Sequence, residues 1–232
     1  MILFFLISGI LFLAFSAYYL LYLGPKLDPK NRAENFILQK RYHEAIKEYR
    51  KVLDFHPDDF STQYHLADVY IKMQQPDSAA PLLERIVAAN LYPLDVEKID
   101  VLKKLGHIYK AREDLQNTFK IFYDISNDFP TDTESLYHIA FITLGQEEFD
   151  IAWRYFDRLI RLESLDFEIL FGAGICAYQN QKINECVDLF KSAVEKKPNS
   201  VIANLAAAFA NRRKREYGKA LQYAEKIITL TD

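Results

Sequence analysis

The chain has 232 residues, 50% of them hydrophobic and 14% aromatic, with only 7 Gly and 8 Pro. That composition excludes collagen-like, linker-like and disulfide-rich chains and predicts mostly helical regular structure. Lys and Arg total 29 against 32 Asp and Glu, a formal net charge of −3, so no broad basic field is available to attract nucleic acid.

From Ile2 to Leu23 the sequence runs 22 residues without a charge, and a helix rising ~1.5 Å per residue over that length crosses a ~30 Å hydrocarbon core. Tyr18, Tyr19 and Tyr22 cluster at its C-terminal end, where amphipathic rings suit the headgroup level, and Gly24-Pro25 stops the helix. A cleaved signal peptide would need a basic start, and the start here is Met-Ile-Leu-Phe-Phe. Residues 1–24 are therefore expected to form a transmembrane anchor that meets the membrane through residues 2–23. Lys26, Lys30, Arg32, Lys40 and Arg41 follow closely, and the positive-inside bias predicts a single-pass inner (cytoplasmic) membrane protein with its bulk in the cytoplasm. With only one informative flank, a periplasmic placement stays open.

The remainder repeats with a period of 34 residues. With unit starts near Lys26, Phe60, Ile99, Thr133, Phe167 and Val201, the eighth position reads Ala33, Ala67, Gly106, Ala140, Gly174 and Ala208. The twentieth reads Ala45, Ala79, Thr118, Ala152, Cys186 and Ala220, small throughout, as two closely crossing antiparallel helices require. Bulky rings stand at position eleven in Phe36, Tyr70 and Tyr109, and at position twenty-four in Tyr49, Phe122, Phe156 and Phe190. Pro57, Pro130 and Pro198 close second helices. Between the second and third units the spacing is 39, so Leu94–Lys98 are extra residues that lengthen a loop or extend a helix. The sixth unit reaches Asp232 directly after its second helix, leaving Ile227, Ile228 and Leu230 for further chain or a partner to cover.

In these respects the chain resembles the tetratricopeptide repeat (TPR), a helix–turn–helix unit with small residues at eight and twenty, rings at eleven and twenty-four, and proline at thirty-two. The fold expected is all-α: the transmembrane helix, then a right-handed α-solenoid of about six TPR units over residues 25–232.

Motifs for catalysis are missing. The sequence contains no phosphate loop, nucleophile elbow, zincin helix or EF-hand loop. Gly172-Ala-Gly-Ile-Cys-Ala177 fits G-x-G-x-x-A but lies within a first helix with no preceding strand. The five histidines are scattered over four repeats, and no C-x-x-C pair is present. No catalytic residue, cofactor, metal, nucleic acid or small-molecule substrate is expected. Cys176 and Cys186 read as small buried hydrophobes, with a disulfide conceivable in an oxidising space. Arg212-Arg-Lys-Arg215, the dense basic run, reads as a solvated turn, or else as a contact for an acidic partner or lipid headgroups.

First-helix positions five, nine and twelve line the concave wall that such solenoids use for binding. The first three repeats offer polar pairs there: Lys30 with Glu34, Tyr64 with Asp68, Lys103 with His107. The last three offer Tyr137, Phe141, Phe171, Ile175, Tyr178, Leu205 and Phe209. These seven are the candidate partner-binding residues, suited to an apolar helix or segment, with packing between repeats as the competing role of each ring.

The expected function is a non-catalytic, membrane-tethered scaffold or adaptor. The near-terminal span, the basic flank and a third repeat reading Leu105-Gly106-His107-Ile108-Tyr109 resemble the bacterial lipopolysaccharide assembly protein B (LapB) family. That resemblance implies a cytoplasm-facing adaptor in control of envelope lipopolysaccharide biogenesis, although the family's C-terminal zinc ribbon has no counterpart here. The alternative is a periplasm-facing assembly or structural factor of a secretion or flagellar machine.

Overall fold

The computed structural model describes Phe12, residues 14–18 and residues 28–231. From Pro29 onward it is a succession of helices, with no strand among the described residues. They are α1 (Pro29–Leu38), α2 (Tyr42–Phe55), α3 (Phe60–Lys72), α4 (Pro76–Ala89), α5 (Lys98–Ala111), α6 (Leu115–Asp128), α7 (Thr133–Gly145), α8 (Phe149–Arg161), α9 (Phe167–Gln179), α10 (Ile183–Lys196), α11 (Val201–Arg213) and α12 (Tyr217–Thr231). The chain divides into two compact units, Met1–Ile108 and Tyr109–Asp232.

Each first helix hands over to its second through the same turn. Lys40, Gln74, Glu113, Glu147, Gln181 and Arg215 all adopt the left-handed conformation, with φ between 58° and 67°, and all six stand at position fifteen of the 34-residue frame. The next residue donates its backbone N–H to the carbonyl five positions back, from Arg41 to Phe36 at 2.8 Å through Glu216 to Asn211 at 2.9 Å. The left-handed residue donates in turn to the carbonyl three back, as Glu147 does to Leu144 at 3.0 Å. This pairing satisfies the orphan carbonyls at a helix end. Glycine takes the left-handed conformation without a Cβ penalty, and the sequence places it at none of the six positions.

Helix starts are fixed as regularly. The carboxylates of Asp59, Asp114 and Asp132 and the Ser200 hydroxyl accept from backbone N–H groups three residues on, which are otherwise unpaired donors of the first turn. Of the extra residues after the second repeat, Leu94–Glu97 fall in the loop 90–97, opened by a left-handed Asn90, and Lys98 begins α5.

Within each hairpin the small positions allow close approach. Ala33, Ala67, Ala140, Ala45, Ala79, Ala152 and Cys186 are fully buried. Tyr49, Leu83, Phe122, Phe156 and Phe190 fill the space beside them, each buried side chain worth about 1.5–3 kcal/mol of transfer free energy where apolar. In the second unit, α7–α8, α9–α10 and α11–α12 pair as hairpins, α8 packs on α9 and α10 on α11. The last hairpin is packed less completely: Ala208 and Ala220 are half-buried and α12 buries none of its described residues fully.

The G-x-G-x-x-A segment has a packing role in α9. A Cβ on Gly172 would meet the Phe156 ring, and one on Gly174 would lie 2.6 Å from Cε1 of Phe190. The glycines admit two core rings against the helix backbone.

The expected membrane placement is corrected. Among the described residues no helix is long and apolar enough to cross a membrane. The longest helix, α12, has 15 residues, about 22 Å at ~1.5 Å per residue, and falls short of a ~30 Å core. The single-pass inner-membrane assignment, with either cytoplasmic or periplasmic repeats, is withdrawn. The expected anchor over residues 1–24 lies outside the described residues, apart from Phe12 and residues 14–18.

Two substitutions test this account. Glu147→Gly relieves the left-handed backbone and raises stability by about 0.5–1 kcal/mol, seen as a higher urea midpoint with an unchanged slope. Gly174→Ala lowers it by about 1–3 kcal/mol through overpacking against Phe190.

Candidate partner-binding face

The first-helix positions of the first unit carry charge, and several of these charges form ion pairs. Lys30 on α1 reaches Asp59, the N-cap of α3. Asp68 on α3 accepts from Lys104 on α5 at 2.6 Å and from Lys72 at 2.7 Å. Burial alone would raise the Asp68 carboxyl, but hydrogen bonds from Lys104 and Lys72 prevail and hold it below the usual carboxylate range. The same competition leaves Lys104 raised: burial lowers it and the bond to Asp68 overcomes that. Lys104 also lies over the Tyr64 ring, 5.6 Å from its centroid. Lys30, Asp68 and Lys104 on this face join α1, α3 and α5.

The second unit is built differently. Tyr137 and Phe141 on α7 contact each other at 4.4 Å between ring centroids, and Phe141 meets the fully buried Phe156 edge-on at 5.2 Å. Phe171 on α9 stacks on Phe167 at 5.6 Å and tilts against Phe190 at 5.5 Å. These rings are half-buried and belong partly to the core. Leu205 and Phe209 on α11 are 44% and 43% exposed, so they are surface residues.

The seven candidate residues do not form one continuous cavity. Tyr137 and Phe141 line one hollow of about 400 Å³ with Leu115 and Ile142. Ile175 and Tyr178 line another of about 390 Å³ with Phe190, Ala206 and Phe209. Leu205 and Phe209 line a third of about 390 Å³ with Tyr217 and Leu221. The second and third share Phe209, making a track across α9, α11 and the start of α12. Phe171 lies beneath, holding Phe190 in place.

The basic run borders this track. The Arg213 guanidinium lies 4.5 Å from the centroid of the Tyr178 ring and donates to the Tyr178 carbonyl at 3.1 Å. Arg212 covers the Phe209 ring at 5.2 Å. Both arginines are exposed, so they present charge beside apolar surface. Sequence reading separated the arginines from the rings because it treated the run as a turn. The signal was there: Arg212 is three residues beyond Phe209, one helical turn on the same face, and Arg213 is 35 residues after Tyr178, one past a full repeat.

Cys176 and Cys186 are free and fully buried. Burial pushes both thiols up to about 12, which removes nucleophilic thiolate at neutral pH.

Two tetratricopeptide repeat models match the chain, over residues 36–91 and 143–199. The repeats are tetratricopeptide repeats. The peroxisomal targeting signal receptor of Candida albicans (strain SC5314 / ATCC MYA-2876) is 25% identical over 191 residues, 79% of this chain and 27% of the receptor. The chain thus spans about a quarter of that relative's length. Among solved structures, YrrB, described as a TPR protein with an unusual peptide-binding site, is 18% identical with a TM-score of 0.63, covering 78% of this chain and 91% of its own. MamA from Desulfovibrio magneticus RS-1 is 14% identical with a TM-score of 0.59, covering 75% and 96%. At these identities the two structures share the fold with this chain, an all-helical TPR solenoid.

Native protein is expected to show no reaction with a disulfide reagent such as Ellman's at neutral pH, and two reactive thiols after unfolding in guanidinium. Rapid labelling of the native protein would contradict the burial of both.

Proposed function

We propose that the chain is a non-catalytic interaction scaffold that holds a partner protein by an apolar helix or segment laid along the first-helix face of its second unit. The observation that carries this reading is the exposed track over Ile175, Tyr178, Phe209 and Leu205, bordered by the guanidiniums of Arg212 and Arg213. Large apolar side chains beside arginine are the composition of energetic hot spots at protein interfaces. Two mainly apolar hollows joined at one ring would take successive apolar side chains one helical turn apart, and an acidic group on the segment would meet the arginines.

The comparisons support a binding role of this kind: a peptide-binding site is named for YrrB and a targeting-signal receptor is named among the relatives. The envelope role implied by the LapB-like layout is not carried forward, because it depends on the membrane placement that the described helices do not support. Tyr137, Phe141 and Phe171 contribute to the proposed face chiefly by supporting it, since their rings are shared with the core.

Leu205 and Phe209 separate binding from folding, being exposed on α11. The double variant Leu205→Ser/Phe209→Ser is expected to lose the proteins co-purified by the wild type at least ~30-fold, the effect of one hot spot worth ~2 kcal/mol, while the melting temperature stays within a few degrees. An unchanged set of co-purified proteins at wild-type yield would refute the assignment of this face.

A further inference from the structure

A further hollow of the second unit is on its other side, between second helices α8 and α10, and has a volume of about 770 Å³. Its floor is apolar: Trp153 and Ile160 from α8, Leu165 from the α8–α9 loop, Leu170 from α9 and Leu189 from α10. Leu165 is 40% exposed and Trp153 half-buried, so the floor is open to solvent. Apolar surface gathered round a tryptophan is the usual anchor point of a protein interface.

The rim has one sign. Asp157 on α8 and Glu185, Asp188 and Glu195 on α10 line the hollow, against a single lining cation, Lys196. Nearby cations are already occupied: Arg161 bonds Asp157 at 2.8 Å, Lys191 lies 3.9 Å from Glu195, and Lys182 sits over the Trp153 ring at 4.1 Å. Lys219, on α12, is paired with Glu216 at 2.6 Å. Glu185 and Asp188 are exposed and form no ion pair among the described residues. Three carboxylates on one face of α10 thus stand above an apolar floor.

We infer that this hollow is a second docking site, for a basic amphipathic segment of another protein, with large apolar side chains on one face and Lys or Arg flanking them. Apolar side chains of the segment fill the floor beside Trp153. Its cations meet Glu185, Asp188 and Glu195, where the Coulomb attraction is screened by salt. This site differs from the first-helix face in its lining residues, in rim charge and in the partner it selects.

Trp153 is the chain's single tryptophan, so its emission reports the hollow directly. The probes are two synthetic helical peptides with leucine at i, i+3, i+4 and i+7, one filled out with lysine and the other with glutamate. In low-salt buffer the full chain is expected to show a saturable change in Trp153 emission with the leucine–lysine peptide and none with the leucine–glutamate peptide. Glu185→Gln/Asp188→Asn should weaken that binding about tenfold, and Leu165→Ser should weaken it at unchanged melting temperature. Neutralising two exposed carboxylates outside the hollow, Glu113→Gln/Asp124→Asn, should leave it unaltered. Any of four results overturns the proposal: no saturable change, equal binding of the two peptides, equal loss in both neutralised variants, or a Trp153 signal that varies with protein concentration alone. The last would assign the hollow to a second copy of this chain. Loss of partner capture in Leu205→Ser/Phe209→Ser leaves these measurements untouched, so the two sites stand or fall separately.

Discussion

The structure depends on a backbone constraint met six times. Between the first and second helix of every hairpin, one residue must reverse the chain in the left-handed conformation, and the two hydrogen bonds around it close the helix end. Once the turn is fixed, the second helix returns antiparallel at a set distance, and that distance decides which side chains fit between. Alanine at positions eight and twenty follows from it, as do the rings at position twenty-four. The sequence pays for these turns with Lys, Gln, Glu and Arg rather than glycine, each holding a strained φ of about 60°. Strain of this size is sustained because packing of two helices over-determines the turn.

The same constraint produces two helix layers, and the layers leave different surfaces uncovered. On the first-helix side of the first unit, lysines and carboxylates join α1 to α3 and α3 to α5, so charge is consumed in holding neighbours together. On the first-helix side of the second unit the same positions hold rings, and rings that cannot all be buried remain as surface. Tyr137, Phe141 and Phe171 reach inward to Phe156 and Phe190. Leu205 and Phe209 on α11 are 44% and 43% exposed and so remain at the surface.

The period and the small residues of the repeat were legible in the sequence because they are packing rules, and packing acts at fixed positions. The left-handed turns were not, since their usual mark is glycine and none is present. With only 7 Gly in the chain, the six turns are made by other residues. Gly172 and Gly174, whose G-x-G-x-x-A shape lacks the strand that cofactor binding would need, instead give clearance for two phenyl rings. For the binding face, sequence position identified the rings but could not say how far each reaches inward, because that depends on partners such as Phe156 and Phe190 on other helices. The arginines of the basic run were missed as ring neighbours for the same reason: Tyr178 and Arg213 are 35 residues apart and meet only when two hairpins stack.

Opposite rim charges give the second unit a property that neither hollow has alone. Arginines border the apolar track of α9 and α11, and carboxylates border the apolar floor between α8 and α10. An amphipathic segment suited to one is repelled by the other, so charge supplies discrimination where apolar contact supplies affinity. A scaffold of the proposed kind, taking two segments of opposite charge, would bring their owners to a common effective concentration without joining them covalently. Two helix layers joined by left-handed turns are sufficient for this, because each layer presents its own side chains at the repeat spacing. Selectivity then resides in a few rim residues, which can change sign without disturbing the buried positions that hold the helices together.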